Sequence, residues 1–401
     1  MIRFLSRIVV GLLFLFSGFV KAVDPVGGAI KLKDYFEAFG FDFLSGSALF
    51  LAIFLSSIEV IIGFHLLVKI RIRQMAYAAL VLMLFFTLLT FVLAIFNPVS
   101  DCGCFGDAIK LTNWNTFLKN LITLPFVLII FKNRERYEDE LSRWRVFSLS
   151  VISVIFAVSV SVYSYRNLPM IDFRPFKTGT NIPEAMKIPE GAQPEYKTVF
   201  LLEKNGVKKE FDENNYPYTD TTWQFIDSKT KLIKEGYHPP ITDFYITNKQ
   251  GEEATDNILN SDKPLFLMIA PDISKIRSDH ASDLIKLSSR CRVKGLRFYC
   301  VTSSLYDEIM EFEQKNRPMF NYLFADEVLL QTIIRGNPGL VIIDKGTILA
   351  KYNYVNTPSI EIVDNPLSYI LKKKSRQTEK YALFITALLT IVLVLIFYKK
   401  D

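Results

Sequence analysis

Six long apolar runs divide this chain, at residues 4–23, 47–68, 75–96, 117–131, 146–163 and 381–398. A hydrocarbon core of about 30 Å takes about 20 helical residues to cross. Runs of this length and apolarity are therefore expected to be membrane-spanning helices. The fourth run is short and carries Lys119 and Pro125, so it is expected to be kinked, tilted or extended toward Trp114. Half of the 401 residues are apolar and 14% are aromatic, which suits a membrane protein with soluble sequence attached.

The basic residues orient the six spans. Arg3 and Arg7 start the first; Lys69, Arg71 and Arg73 separate the second from the third. Lys132, Arg134, Arg136, Arg143 and Arg145 separate the fourth from the fifth, and Lys399 and Lys400 follow the sixth. With alternating spans all of these fall on one side, which the positive-inside rule makes cytoplasmic together with both termini. Residues 24–46 and the loop around Cys102 and Cys104 then lie outside, in the periplasm of an inner-membrane protein. The run Lys372, Lys373, Lys374, Arg376 disagrees, but it ends a long domain, where the charge rule is weak. A cleaved signal peptide is the competing reading of the first run; Ala22-Val23-Asp24 lacks a small-x-small cleavage site. The net charge of +6 resides mostly in the cytosolic loops and tail. No basic stripe is interleaved with aromatics, so nucleic acid is not an expected partner; the lipid bilayer is.

Residues 164–379 form a soluble insert, too long for a loop. Its start is proline-rich (Pro169, Pro175, Pro183, Pro189, Pro194) and suits an extended connector. Asn205-Gly206 between residues 197–204 and 208–211 is a hairpin signal, with more strand-like sequence at 222–226. From Pro240 the pattern predicts strands at 242–247, 264–270, 296–302, 322–325, 340–344 and 348–354. Helices are expected at 274–290, 305–315, 328–335 and 360–371. That order suggests an α/β domain with a mixed sheet.

Cys102-Gly103-Cys104 is the centre of chemical interest. The two thiols lie one residue apart on the oxidising side, where disulfides persist. A bridge across one residue is a small ring, and Gly103 permits the backbone it needs. A redox-active pair and a free or structural pair in a turn are both open readings. Asp101 and Asp107 are too few to complete a metal site there, and none is expected. Cys291 and Cys300 form either a structural disulfide or two buried thiols.

Glu59, mid-span, is a candidate for proton handling or for bonding a quinone headgroup, and equally for a polar packing contact. Lys21 has the sign of a countercharge. Counted from the span ends, however, it lies about 15 Å from Glu59 at about 1.5 Å per residue, and snorkelling to the surface is expected instead. His65 is expected to be a packing residue on another face of the helix from Glu59. His238 falls in a linker and His280 on a helix. No nucleophile elbow or phosphate loop is present, which leaves no hydrolase or nucleotide site to place.

Residues 11–21 (GLLFLFSGFVK), Ile58-Glu59-Val60 and Cys102-Gly103-Cys104-Phe105-Gly106 resemble the DoxX-like superfamily, and within it the MauE-type proteins of methylamine utilisation. The resemblance covers residues 1–135 and implies a four-helix membrane core involved, with a thioredoxin-like partner, in disulfide formation or maturation of an exported enzyme. Residues 241–246, 249–253 and 263–270 are similar to a redoxin hairpin and its strand into the active site. Asn337-Pro338-Gly339 sits where such folds carry a cis-proline. The departure comes after Ala270: Pro271-Asp272-Ile273-Ser274-Lys275-Ile276-Arg277 contains no cysteine where redoxins have C-x-x-C. That domain is therefore expected to bind or dock rather than exchange disulfides.

The expected architecture is an α-helical membrane bundle with a DoxX/MauE-like four-helix core (1–135) and two further spans. A cytosolic loop and fifth span occupy 136–166, a periplasmic connector with hairpins 167–239, a periplasmic α/β thioredoxin-like domain 240–373, and a final span 374–401. The expected function is thiol–disulfide redox or maturation of exported proteins. Cys102, Cys104 and Glu59 would be the catalytic groups, exported protein thiols the partners, and a membrane quinone the acceptor implied by analogy. The competing function is a non-catalytic envelope scaffold that uses the thioredoxin-like domain to bind a partner.

Overall fold

The computed structural model describes residues 1–99, 101–137, 141–373 and 390–393. Helix α1 (Ile2–Val23) is followed by the shorter α2 (Pro25–Ala38). Then come α3 (Ala48–Val68), α4 (Ile72–Phe96), α5 (Asn113–Lys132) and α6 (Arg143–Asn167). All but α2 are long and apolar enough to cross a membrane, giving five such helices among the described residues. The chain is a multi-pass membrane protein. The sixth expected span, 381–398, lies outside the described residues apart from 390–393, which are helical. The fourth span is extended rather than short, reaching back past Trp114, with Thr112 accepting the Asn115 amide as its N-cap.

Residues 24–46, expected as a loop, are largely helical. The Asp24 carboxylate accepts the Gly27 amide at 2.9 Å and Pro25 occupies the first helical position, so a cap and a pre-set φ start α2 immediately after α1.

Glycines bring α1 and α3 together. A Cβ at Gly18 would lie 2.6 Å from the Val60 nitrogen and 2.8 Å from Cβ of Glu59, and Gly63 is equally crowded against the backbone at Leu15. Small residues at a helix contact allow backbones to approach where lipid supplies no hydrophobic drive. At one end of the pair Arg7 donates to the carbonyls of Leu66 (2.5 Å) and Leu67 (2.8 Å), among the last acceptors of α3. Arg73 meets Glu135 at this same basic end. The Cys102/Cys104 loop and the α/β region occupy the opposite end.

The connector carries α7 (Ile182–Met186). Strands β1 (Glu195–Lys204), β2 (Val207–Asp212) and β3 (Gln224–Lys234) form an antiparallel sheet in the order β2-β1-β3. Asn205 and Gly206 both have positive φ in its tight turn. After α8 (Thr255–Leu259) come β4 (Leu265–Ala270), α9 (Ser278–Val293), β5 (Phe298–Thr302) and α10 (Tyr306–Asn316). They are followed by β6 (Asn321–Phe324), α11 (Glu327–Ile333), β7 (Gly339–Asp344) and β8 (Thr347–Asn353). The second sheet runs β6-β5-β4-β7-β8, with β4, β5 and β6 parallel and β7 and β8 antiparallel to their neighbours.

Strand β4 is buried on both faces, as its unbroken apolar sequence requires. Leu265, Leu267 and Ile269 join a core with Ile182, Ile258, Leu330 and Ile333. Phe266, Met268 and Ala270 join the other, with Leu284, Leu287 and Cys291 of α9. The strand expected at 242–247 does not form. Phe244 and Ile246 are buried, but among the described residues only Thr247 pairs, with Glu253 and Phe324. Alternation there marks a buried face and not a ladder. The expected helix 360–371 begins as a 3-10 turn, Ile360–Val363, and continues as helix from 366 to 373. The Asn337–Pro338 bond is cis.

Candidate functional site

The loop between α4 and α5 holds its two cysteines by backbone and carboxylate contacts. Asp101 accepts the Gly103 amide at 2.9 Å and pairs with Lys31 at 3.2 Å. Gly103 has φ +62°, a conformation open to glycine and strained for other residues, and a Cβ there would meet Lys31 at 2.8 Å. The Gly106 amide donates to the Gly103 carbonyl at 3.0 Å, closing the turn. Tyr35 of α2 donates to the Cys102 carbonyl at 2.6 Å, and Ser17 of α1 approaches the Cys104 carbonyl at 2.9 Å.

Both cysteines are free thiols. Cys102 is the deeper, 8% exposed and packed against Leu93 and Val99; Cys104 is half-buried. The two sulfurs share a hydrogen bond, and their environments differ. That bond and the nearby Lys119 and Lys21 cations, opposed by burial and by Glu59, push the Cys104 thiol below its ordinary value. The same bond and burial push Cys102 up. Of the two, Cys104 is the more acidic.

Beneath the loop, Lys21 Nζ lies 2.6 Å from Glu59 Oε1. This corrects the expectation that Lys21 snorkels away. Counting from span ends placed the two residues far apart in depth, but the Gly18 contact sets Glu59 only one turn below Lys21. Each Cβ also leans toward its own helix N-terminus, and in antiparallel helices those directions converge. Glu59 is 3% exposed. Its Oε2 lies 2.8 Å from Ser17 Oγ, which is also 2.9 Å from the Cys104 carbonyl. A hydroxyl has one hydrogen for these two acceptors. A proton arriving on Glu59 could be donated to Ser17, freeing the hydroxyl hydrogen for Cys104. The carboxylate can therefore take up a proton with no hydrogen bond lost.

Two cavities meet at this point. One, of about 30 Å³, is lined by Ser17, Lys21, Glu59, Cys104, Lys119 and Asn120 among others; it has the volume of about one water molecule. The other, of about 380 Å³, opens toward the α/β region and is bounded by α1, α2, α4 and the cysteine loop. Lys21, Phe86 and Cys104 line both. The far wall of the larger cavity is α11, through Val328, Gln331 and Thr332, with Arg335 just beyond it. Arg335 bonds Asp24 through Nε and Asp107 through Nη2, each at 3.0 Å. The C-terminal carbonyls of α11 are in turn held by Arg174 and Lys351, both bound to Asp172.

The other candidates lie apart. Cys291 on α9 and Cys300 on β5 are free, fully buried thiols in one core, not a disulfide. Burial alone pushes both upward, Cys291 to about 12, away from reactivity. His65 is buried against Ser150 of α6, its Nε2 3.0 Å from Ser150 Oγ. His280 stacks on Tyr354 and His238 is exposed. Among the described residues no group of three His, Cys, Asp or Glu side chains could hold a metal ion. Lys119, Ser17 and Arg335 were not singled out by sequence as site residues. A lysine inside an apolar run was the available signal for Lys119; nothing local marks the other two.

Residues 1–132 match the family model described as methylamine utilisation protein MauE. Residues 196–235, the three-stranded sheet, match a domain of unknown function, DUF8463. No curated protein and no solved structure matches the chain.

Proposed function

We propose that this protein is a membrane thiol–disulfide redox protein, acting in the maturation of exported proteins, with Cys102 and Cys104 as its centre. The observation that carries the reading is the pair itself: two neighbouring free thiols at the mouth of a cavity, directly over the Lys21–Glu59 ion pair. In the oxidised form a partner dithiol reduces the Cys102–Cys104 disulfide. A partner thiolate attacks one sulfur, the ring S–S bond breaks, and the second partner thiol then displaces the pair from the mixed disulfide. Two electrons pass to the pair and the partner leaves as a disulfide. Of the two protons released, one stays on Cys102 and the other is handed to Glu59 for release. Reoxidation takes a two-electron, two-proton acceptor, for which a membrane quinone is the chemical class proposed.

The cysteine end of the bundle would face the periplasm of an inner-membrane protein, and the α/β region would be a thioredoxin-like module. The sheet order, with βαβ units followed by an antiparallel hairpin, supports that fold. The segment after β4 carries Asp272, which caps the turn Ile273–Lys275, and no thiol. The module would therefore bind and position a partner near Cys104, raising its effective concentration. A non-catalytic scaffold is the second reading; the docking of Arg335 against Asp24 and Asp107, in a module with no thiol in the segment after β4, favours it.

Expression of a Cys102→Ser variant in cells, with alkylation on lysis and non-reducing electrophoresis, separates the two. A redox role gives a mixed-disulfide adduct that disappears on reduction and in Cys102→Ser/Cys104→Ser. A scaffold gives none.

A further inference from the structure

Lys119 is an ionisable residue inside a spanning helix with no carboxylate partner among the described residues. Its Nζ lies 4.5 Å from the centroid of the Phe105 ring. Phe105 follows Cys104 and also packs on Phe16, ring centroids 5.5 Å apart, so the aromatic that holds the ammonium is anchored beside the reactive loop. Lys119, Cys104 and Glu59 line the same water-sized cavity.

A charge count shows what this arrangement favours. Lys21 and Glu59 neutralise each other at 2.6 Å. Lys119 then leaves the cluster with one excess positive charge when the cysteines are bridged. A thiolate at Cys104 cancels it. An uncompensated charge in a low-dielectric site is costly, whereas two adjacent ion pairs are far less so. The charged and titratable groups facing Cys104 are Lys21 from α1, Glu59 from α3, Lys119 from α5 and Cys102 from its own loop. Across the larger cavity stand Tyr35, Lys31, Asp34, Asp24, Asp101, Asp107, Lys110 and Arg335, with Asp34 also paired to Lys31. Asp101 is engaged by Lys31, and Asp24 and Asp107 by Arg335.

We infer that Lys119 is the positioning residue of the redox centre: it holds Cys104 as the thiolate, so that Cys104 is the sulfur joined to a partner and Cys102 the resolving thiol. The inference rests on the proposed redox reading and deepens it. A stabilised thiolate stabilises the reduced pair, which makes the disulfide the stronger oxidant. That is the property needed to draw electrons from exported dithiols. No atom is transferred to or from Lys119; it acts by charge alone.

The test uses the purified full-length protein in detergent with a Cys102→Ser background, whose hydroxyl keeps a donor toward Cys104. The rate of iodoacetamide alkylation at Cys104 is measured against pH for Lys119, Lys119→Arg and Lys119→Gln. A midpoint well below the usual thiol value is expected with Lys119 and Lys119→Arg, and a rise of about one unit or more with Lys119→Gln, a tenfold change in thiolate stability. With both cysteines present, the glutathione equilibrium of Lys119→Gln should shift about tenfold toward the disulfide. If Lys119→Gln does not elute as a folded species, Lys119→Met replaces it. Unchanged midpoints in a folded neutral variant, or an ordinary thiol midpoint with Lys119 present, would overturn the inference. Because these measurements need no cycling partner, they are independent of whether the pair cycles in cells.

Discussion

Nη2 of Arg335 lies 3.0 Å from Oδ2 of Asp107, joining the α/β region to the loop that carries both candidate thiols. The same guanidinium bonds Asp24, the N-cap of α2, and its side chain is only 10% exposed. One side chain thus fastens α11 over the cavity onto which Cys104 opens.

Arg335→Ala should loosen that wall. Hydrogen bonds between charged groups contribute about 1.5–3 kcal/mol each, enough to change an opening equilibrium by tenfold or more. A bulky maleimide should modify Cys104 several-fold faster in Arg335→Ala than in the native protein. Equal rates would mean that α11 does not restrict access.

Gly18→Ala should damage the site from a distance. Its Cβ would press on the Val60 nitrogen and Glu59 Cβ, both held by helix backbone that cannot swing aside. Overpacking of this kind costs about 1–3 kcal/mol, and separating α1 from α3 would lengthen the Lys21–Glu59 contact. A lower thermal midpoint together with slower thiol exchange is expected.

Glu59→Gln and Lys21→Met should each destabilise strongly, because each strands a buried charge, at about 3–5 kcal/mol for a broken buried pair. The double variant should recover part of that loss. Thiol exchange should stay slow in the double variant, since the carboxylate proposed to accept the proton is gone. Full recovery of exchange would remove Glu59 from the chemistry.

The five spans among the described residues were legible because apolar length alone marks them. The depth of each span was not, and that is why Lys21 was assigned to the surface. Register between α1 and α3 is set by Gly18 and Gly63 meeting a neighbouring backbone, a property of the pair rather than of either segment. Helix α2 was marked by Asp24-Pro25, a cap and first-turn signal that low apolarity obscured. At 242–247 the alternation of Phe244 and Ile246 correctly marked burial, while the absence of a partner strand is a tertiary fact. Cys102 and Cys104 were visible in sequence; the inequality between them depends on their shared hydrogen bond and on Lys119 and Lys21, contributed by two other helices.

Lys351 offers a pH test of the network behind α11. Burial, then repulsion by Arg174, hold its ammonium down to about 8, against attraction from Asp172. Since the free value is about 10.4, the unfolded chain binds the extra proton between those two values. Stability from this group therefore rises with pH across about 8 to 10 and is flat below that window. The difference in thermal midpoint between native protein and Lys351→Met should move in the native protein's favour over that range. A constant difference would contradict the assignment.

Thiol trapping in intact cells tests the central claim most directly. Acid quenching followed by alkylation with a mass-shifting maleimide reports the state of Cys102 and Cys104, with Cys291→Ser/Cys300→Ser as the background. A redox centre should shift toward the disulfide when a membrane oxidant is supplied and toward dithiol when quinone synthesis is blocked. A pair that keeps one redox state under both conditions would contradict a redox role for this protein.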